Sequence, residues 1–206
     1  MTKRKKINPK KTDAIADTRA SEKTIAQSTL NLQYAFDRDV DFKSRVIRIS
    51  EEIDSGVFDK VDAAMNNLER SSRKMITVKI NSEGGSVYDA LAIIGRLTSS
   101  KCKIVTEGYG KVMSAATLIL ACGDERKMSK YCWLMHHESG YDGGFQKLSD
   151  HKDLLTQIHR QELHWAEAMA EFTEKPKKYW MSTGVRKDKY FTANECLELG
   201  IVDKVF

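Results

Sequence analysis

Residues 102–123, CKIVTEGYGKVMSAATLILACG, change character twice. The stretch CKIVTEG (102–108) is rich in β-branched residues and reads as a strand. YGKVM (109–113) carries a glycine and reads as a turn. From Ser114 the chain is almost wholly apolar until Gly123, which reads as a short buried helix with a stop. Serine is among the favoured helix N-caps, so Ser114 is either the cap of that helix or a hydroxyl presented by it. Strand, turn and buried helix together are the repeating unit of a layered α/β fold.

The same unit recurs on both sides. RVIRI (45–49) alternates as a strand and leads into VFDKVDAAMNNLERS, where Val57, Val61, Ala64, Met65 and Leu68 fall at helical spacing. MITVKI (75–80) is the next strand, broken by the turn NSEGG. VYDALAIIGRL (87–97) then places Val87, Ala90, Leu91, Ile94 and Leu97 on one stripe. After Gly123, YCWLM (131–135) reads as a strand ending at His136, and residues 145–172 as a long helix. Along that helix Phe145, Leu148, Leu155, Ile158, Met169 and Phe172 lie near one face. TANECLELGIVD (192–203) closes the chain with a capping box, Thr192 with Glu195, then a short helix, Gly200 and a last strand.

Composition sets the outer bounds. A chain of 206 residues buries roughly 70% of its unfolded surface and needs no staples. The four cysteines, Cys102, Cys122, Cys132 and Cys196, form no CxxC pair and read as buried free thiols in a reducing, cytoplasmic setting. No apolar run approaches the ~20 residues of a membrane span. The formal charge of +5 is concentrated at one end: MTKRKKINPKK (1–11) holds six of the 34 Lys and Arg, leaving 28 basic against 29 acidic residues elsewhere. Residues 1–40 therefore read as a basic, flexible extension ahead of a nearly neutral domain, 41–206. No aromatic interleaves the basic run to stack bases, so nucleic acid is not the expected partner.

Two glycine-rich turns, NSEGGSV and EGYGKVMS, each follow a strand and feed a helix. Main-chain amides at such turns are unpaired donors, and glycine lets a ligand approach the backbone. One turn can supply a nucleophile and the other a donor to an oxyanion.

Four segments then resemble the Clp protease proteolytic subunit family, over about residues 45–206. INSEGGSV is similar to I-N-S-P-G-G-x-V, and GYGKVMSAATLILACG to G-x-A-A-S-M-G-A-x-L-L-x-A-G. WLMHHESGYDGG resembles V-M-I-H-Q-P-x-G-G-x-x-G, and DKYFTANECLELGIVD resembles D-R-F-L-S-A-x-E-A-x-x-Y-G-L-V-D. The resemblance implies a β-β-α superhelix of the crotonase type with a long oligomerisation helix. It implies two stacked heptameric rings enclosing a chamber for unfolded proteins or peptides. It also implies a serine endopeptidase needing no cofactor or metal, with Ser114 as nucleophile, His136 as base, Asp188 as the orienting carboxylate and the Gly85 and Ala115 amides as oxyanion hole. His137 falls on the family's glutamine and reads as a rim residue. SGYDGG falls on the strand that pairs with an extended substrate.

Departures mark out alternatives. Glu83 replaces the motif's proline, and Lys111 raises a Ser–Lys arrangement, although it is expected to face solvent. Thr77, Lys79 and Ser99 stand where aromatics would dock an ATP-driven unfoldase, so the usual partner is expected to bind poorly or differently. A viral capsid-maturation protease of the same fold, found in the virus particle, suits such a variant. A catalytically silent ring subunit and a crotonase-like acyl-CoA enzyme are the other readings. Both conflict with an intact Ser–His–Asp set.

Overall fold

The computed structural model describes Thr29 and residues 39–141, 144, 145 and 147–206. The basic run 1–11, the cluster LQYAF (32–36) and part of SGYDGG lie outside the described residues. In chain order the strands are β1 (Val40–Asp41), β2 (Val46–Ile49), β3 (Ile76–Ser82), β4 (Ile104–Met113), β5 (Glu125–Met128), β6 (Trp133–His136), β7 (Lys189–Thr192) and β8 (Lys204–Val205). The helices are α1 (Ser55–Ser71), α2 (Val87–Thr98), α3 (Ala116–Ala121), α4 (Leu148–Phe172), α5 (Lys177–Ser182) and α6 (Ala193–Glu198). The strands form one sheet in the order β1-β2-β3-β4-β5-β8, with β6 branching from β4 and β7 pairing β6. The pairs from β2 through β5 are parallel and are joined by α1, α2 and α3, as the α/β reading expects.

Local rules account for the helices. Asp54 caps α1 by accepting from the Val57 amide, and Ser86 caps α2 by accepting from Asp89. The stripe Val57, Val61, Ala64, Met65 and Leu68 is buried, as its spacing requires. At the far end of α1, the buried Arg45 donates to the carbonyls of Leu68, Ser72, Lys74 and Met75, placing a cation on orphan acceptors.

β4 departs from the sequence reading. YGKVM is no turn: the strand runs on to Met113, and it changes partners on the way. Its first half pairs with β5 (Val105↔Glu125 to Gly108↔Met128), its second half with β6 (Lys111↔Trp133 to Met113↔Met135). Between the halves Gly110 takes φ +56°, and the register against β3 shifts between Ile80 and Ser82. A glycine at positive φ lets the strand bend from one partner to the other. The result is a β6–β7 flap standing on the end of β4, next to Ser114.

Along α4, burial is confined to Trp165, Ala166 and Met169 near the C-terminus, while Leu148 (72% exposed) and Leu155 (47%) face outward with Phe145. Among the described residues the apolar positions of its first two thirds are left partly or wholly exposed. Trp165 and Trp180 are buried as expected, whereas Trp133 is about half exposed on β6. All four cysteines are free and buried. Among the described residues no helix is long and apolar enough to cross a membrane.

Candidate active site

Ser114 is not a cap. Helix α3 begins with Ala115 at its N-cap and has no side-chain cap hydrogen bond. The Ser114 backbone sits at φ +51°, a left-handed conformation that costs a residue with a Cβ roughly 1–2 kcal/mol. It is held there by the amide of Ser114 donating to Met135 O (2.8 Å) and by Thr117 donating from its amide and hydroxyl to Ser114 O. A strained junction between strand and helix pushes a hydroxyl out of the ladder, and such strain belongs to functional sites.

The hydroxyl meets an imidazole: Ser114 Oγ lies 2.8 Å from His137 Nε2. The expectation that His136 fills this place is corrected. On β6, Leu134 and His136 share the buried face, and His137 follows on the other. The His136 ring stacks on Trp165 (centroids 4.2 Å apart, planes at 3°) and stands edge-on to Trp180 at 6.0 Å. Burial pushes its imidazole down to about 4, against the partial support of the Trp180 and Thr183 carbonyls.

That depression has a consequence for stability. The unfolded chain protonates this ring near its ordinary 6.5, the folded chain only near 4, so the stability present above pH 6.5 is lost as pH falls toward 4. The shift corresponds to about 3 kcal/mol. Urea midpoints measured from pH 7 to 4 should fall more steeply for the wild type than for His136→Phe, which has no proton to gain; parallel curves would contradict the assignment.

The sequence held a signal for the histidine exchange. LMHH can be laid on the motif V-M-I-H so that Met135 falls on its methionine, His136 on its isoleucine and His137 on its histidine. Strand alternation favours that register, because it keeps Leu134 and residue 136 on one buried face.

Asp188 is exposed, and among the described residues no hydrogen bond or ion pair joins it to either histidine. It immediately precedes β7, whose antiparallel ladder with β6 ends at His136↔Lys189. The connecting loop is tied down there: Glu138 N donates to Gly184 O, and Arg186 N donates to the Glu138 carboxylate.

The NSEGG turn meets the end of β4 at the serine. A Cβ on Gly84 (φ +99°) would lie 2.6 Å from Met113 O and 2.7 Å from Ser114 Cβ. The Ile53 amide donates to Gly84 O, and Ile53 O accepts from Ser86, which skips the Gly85 amide. The Gly85 and Ala115 amides donate to no other described residue. The cleft over this junction has a volume of about 940 Å³, with Met113, Met135, Met181 and Trp165 in its wall. Lys111 is ion-paired with Glu83 at the rim, not with Ser114, and it holds the Glu83 carboxyl below its ordinary range. Among the described residues no group of three or more His, Cys, Asp or Glu is placed to hold a metal ion.

The three positions considered for partner docking are polar. Lys79 lies 3.8 Å from Glu107 and over the Tyr109 ring at 5.3 Å. Thr77 is half-buried on β3, and Ser99 turns its hydroxyl back to Arg96 O.

A family model described as Clp protease matches residues 34–206. The chain is 30% identical over 167 residues to the ATP-dependent Clp protease proteolytic subunit 1 of Thermobifida fusca (strain YX), covering 80% of this chain and 75% of that one. It is 30% identical over 170 residues to the proteolytic subunit 2 of Rhodococcus jostii (strain RHA1), covering 79% and 84%. Among solved structures, a ClpP1 mutant from Listeria monocytogenes superposes with a TM-score of 0.73 at 23% identity, over 80% of this chain and 92% of that one.

Proposed function

Because this chain belongs to the Clp protease family and is thereby a serine-type endopeptidase, we propose that Ser114 is its nucleophile and His137 its general base. The contact that carries this reading is the 2.8 Å approach of His137 Nε2 to Ser114 Oγ. His137 takes the hydroxyl proton on Nε2 as Oγ bonds to the substrate carbonyl carbon. The carbonyl oxygen becomes an oxyanion and accepts from the Gly85 and Ala115 amides, each such donor contributing about 3 kcal/mol to the transition state. As the intermediate collapses, His137 returns the proton to the leaving amine. Water then repeats the cycle on the acyl-enzyme. In this reading Asp188, which precedes β7 beyond the end of the β6 ladder, is the orienting carboxylate: it accepts from Nδ1–H once substrate closes the site, and so selects the tautomer with Nε2 free.

The relatives are named as subunits of ATP-dependent proteases. The outward apolar positions of α4 suit burial against further copies, and we read the working form as a homo-oligomer of stacked heptameric rings that admits unfolded chains or peptides. Free, buried thiols suit a reducing, cytoplasmic setting. The charge-paired surface at Lys79 and Glu107 is a poor seat for an apolar docking element, so an unfoldase that grips relatives through aromatic pockets should give less than about 2-fold stimulation of folded-substrate degradation here, given how strongly burying such ions is penalised. Strong stimulation in a degradation assay would contradict this.

A serine-directed fluorophosphonate tests the core reading. It should label the wild type stoichiometrically and leave Ser114→Ala unlabelled; label retained by the variant would place the nucleophile elsewhere.

A further inference from the structure

Two adjacent histidines leave β6 in opposite directions, and only His137 touches the serine. The His136 ring has a different set of neighbours. Trp165 of α4 covers one face in parallel contact, and Trp180 of α5 meets it edge-on. Gly184 closes the third side: a Cβ there would lie 3.1 Å from the His136 ring, 2.9 Å from His136 O and 2.9 Å from His137 Cα. The same glycine takes φ +81°, so its backbone approaches as only a residue without a Cβ can. Three separate elements thus converge on one ring, and the next Cα along the chain carries the imidazole at Ser114.

We infer that His136 is a positioning residue for His137, its ring clamped between Trp165 and the Trp180–Gly184 segment so that the end of β6 holds His137 Nε2 at Ser114 Oγ. The inference rests on the Ser114–His137 reading. A core aliphatic at position 136 would pack against α4 without choosing an orientation. A planar ring stacked at 3° fixes the rotation of the strand end as well as its depth. The same peptide carries the His137 Cα, so rotation at one residue displaces the other. Misplacing a catalytic group by about 1 Å costs about 100-fold in rate.

Three variants separate this role from simple packing. His136→Phe keeps a flat ring for Trp165 and should retain kcat within about 3-fold. His136→Ala should lose about 30- to 100-fold in kcat with KM nearly unchanged, because the base and not the cleft is displaced. Trp165→Leu removes the stack with both histidines present and should lower kcat about 10-fold, which covers the case of an Ala variant that does not fold. A crystal structure of His136→Ala or Trp165→Leu reads the position without activity: the Nε2–Oγ separation should open beyond about 3.5 Å, out of hydrogen-bond range. Unchanged kcat in both variants, or an unmoved His137, overturns the positioning role. A His136→Phe enzyme as inactive as Ser114→Ala, beside an active His137→Ala, overturns the Ser114–His137 reading itself.

Discussion

His137→Ala should lower kcat for a short fluorogenic peptide by about 1,000-fold, the contribution of a well-placed general base. KM should change little, because the ring meets the reacting hydroxyl and leaves the cleft walls intact. Added imidazole should restore part of the rate by entering the space the side chain vacates. The physical reason is that the Ser114 hydroxyl holds its proton tightly near neutral pH and must pass it to a base in hydrogen-bond contact. His137 has that contact at 2.8 Å. His136 lacks it, and burial has weakened its basicity to about 4, too low for efficient proton abstraction at neutral pH. Stopped assays on the purified variant decide the matter: full activity in His137→Ala contradicts the assignment.

Gly84→Ala is expected to be nearly as damaging without touching a reacting atom. Its Cβ would enter within 2.6–3.0 Å of Met113 O, Ser114 Cβ and the Ala115 amide nitrogen, and the first and last of these are backbone atoms. Backbone cannot swing aside as a flexible side chain can. Relief must come from separating the NSEGG turn from the Ser114 turn, which moves the hydroxyl and the two amides apart. A loss of about 100-fold in kcat follows from a shift of that kind. The positive φ at this position also penalises alanine, so stability should fall by about 1–2 kcal/mol. Gly95→Ala is the matched control: it lies within α2 with nothing within 4 Å of the added carbon. There the substitution should leave kcat alone and raise stability by roughly 0.5–1 kcal/mol. Peptidase assays and urea unfolding on the pair separate the two outcomes. Equal behaviour of the two variants would show that close packing of the turns is unimportant.

Much of this architecture was legible in the residues. The β2–α1–β3–α2–β4 succession followed from alternation and 3.6-residue spacing, and the capping box of Thr192 with Glu195 fell where the pattern placed it. Ser114 stood out because a glycine-bearing segment met an apolar helix there. The misreadings have physical causes. YGKVM looked like a turn because Gly110 interrupts it, yet that glycine lets one strand serve two partners. The apolar face of α4 was legible, but periodicity reports an apolar surface without saying what covers it. His136 was taken for the base because a repeated histidine permits two motif registers, and only the alternation set by Leu134 distinguishes them. The pairing of β7, the strand that follows Asp188, with β6 is a tertiary choice that no local pattern specifies.

The most direct test is a crystal structure of the fluorophosphonate adduct. Phosphorus should be bonded to Ser114 Oγ, with its free oxygen between the Gly85 and Ala115 amides and His137 Nε2 within about 3 Å of the Ser114 oxygen, while His136 stays stacked on Trp165. An adduct on another residue, or one in which His136 has swung to the serine and His137 has left it, would contradict the Ser114–His137 reading.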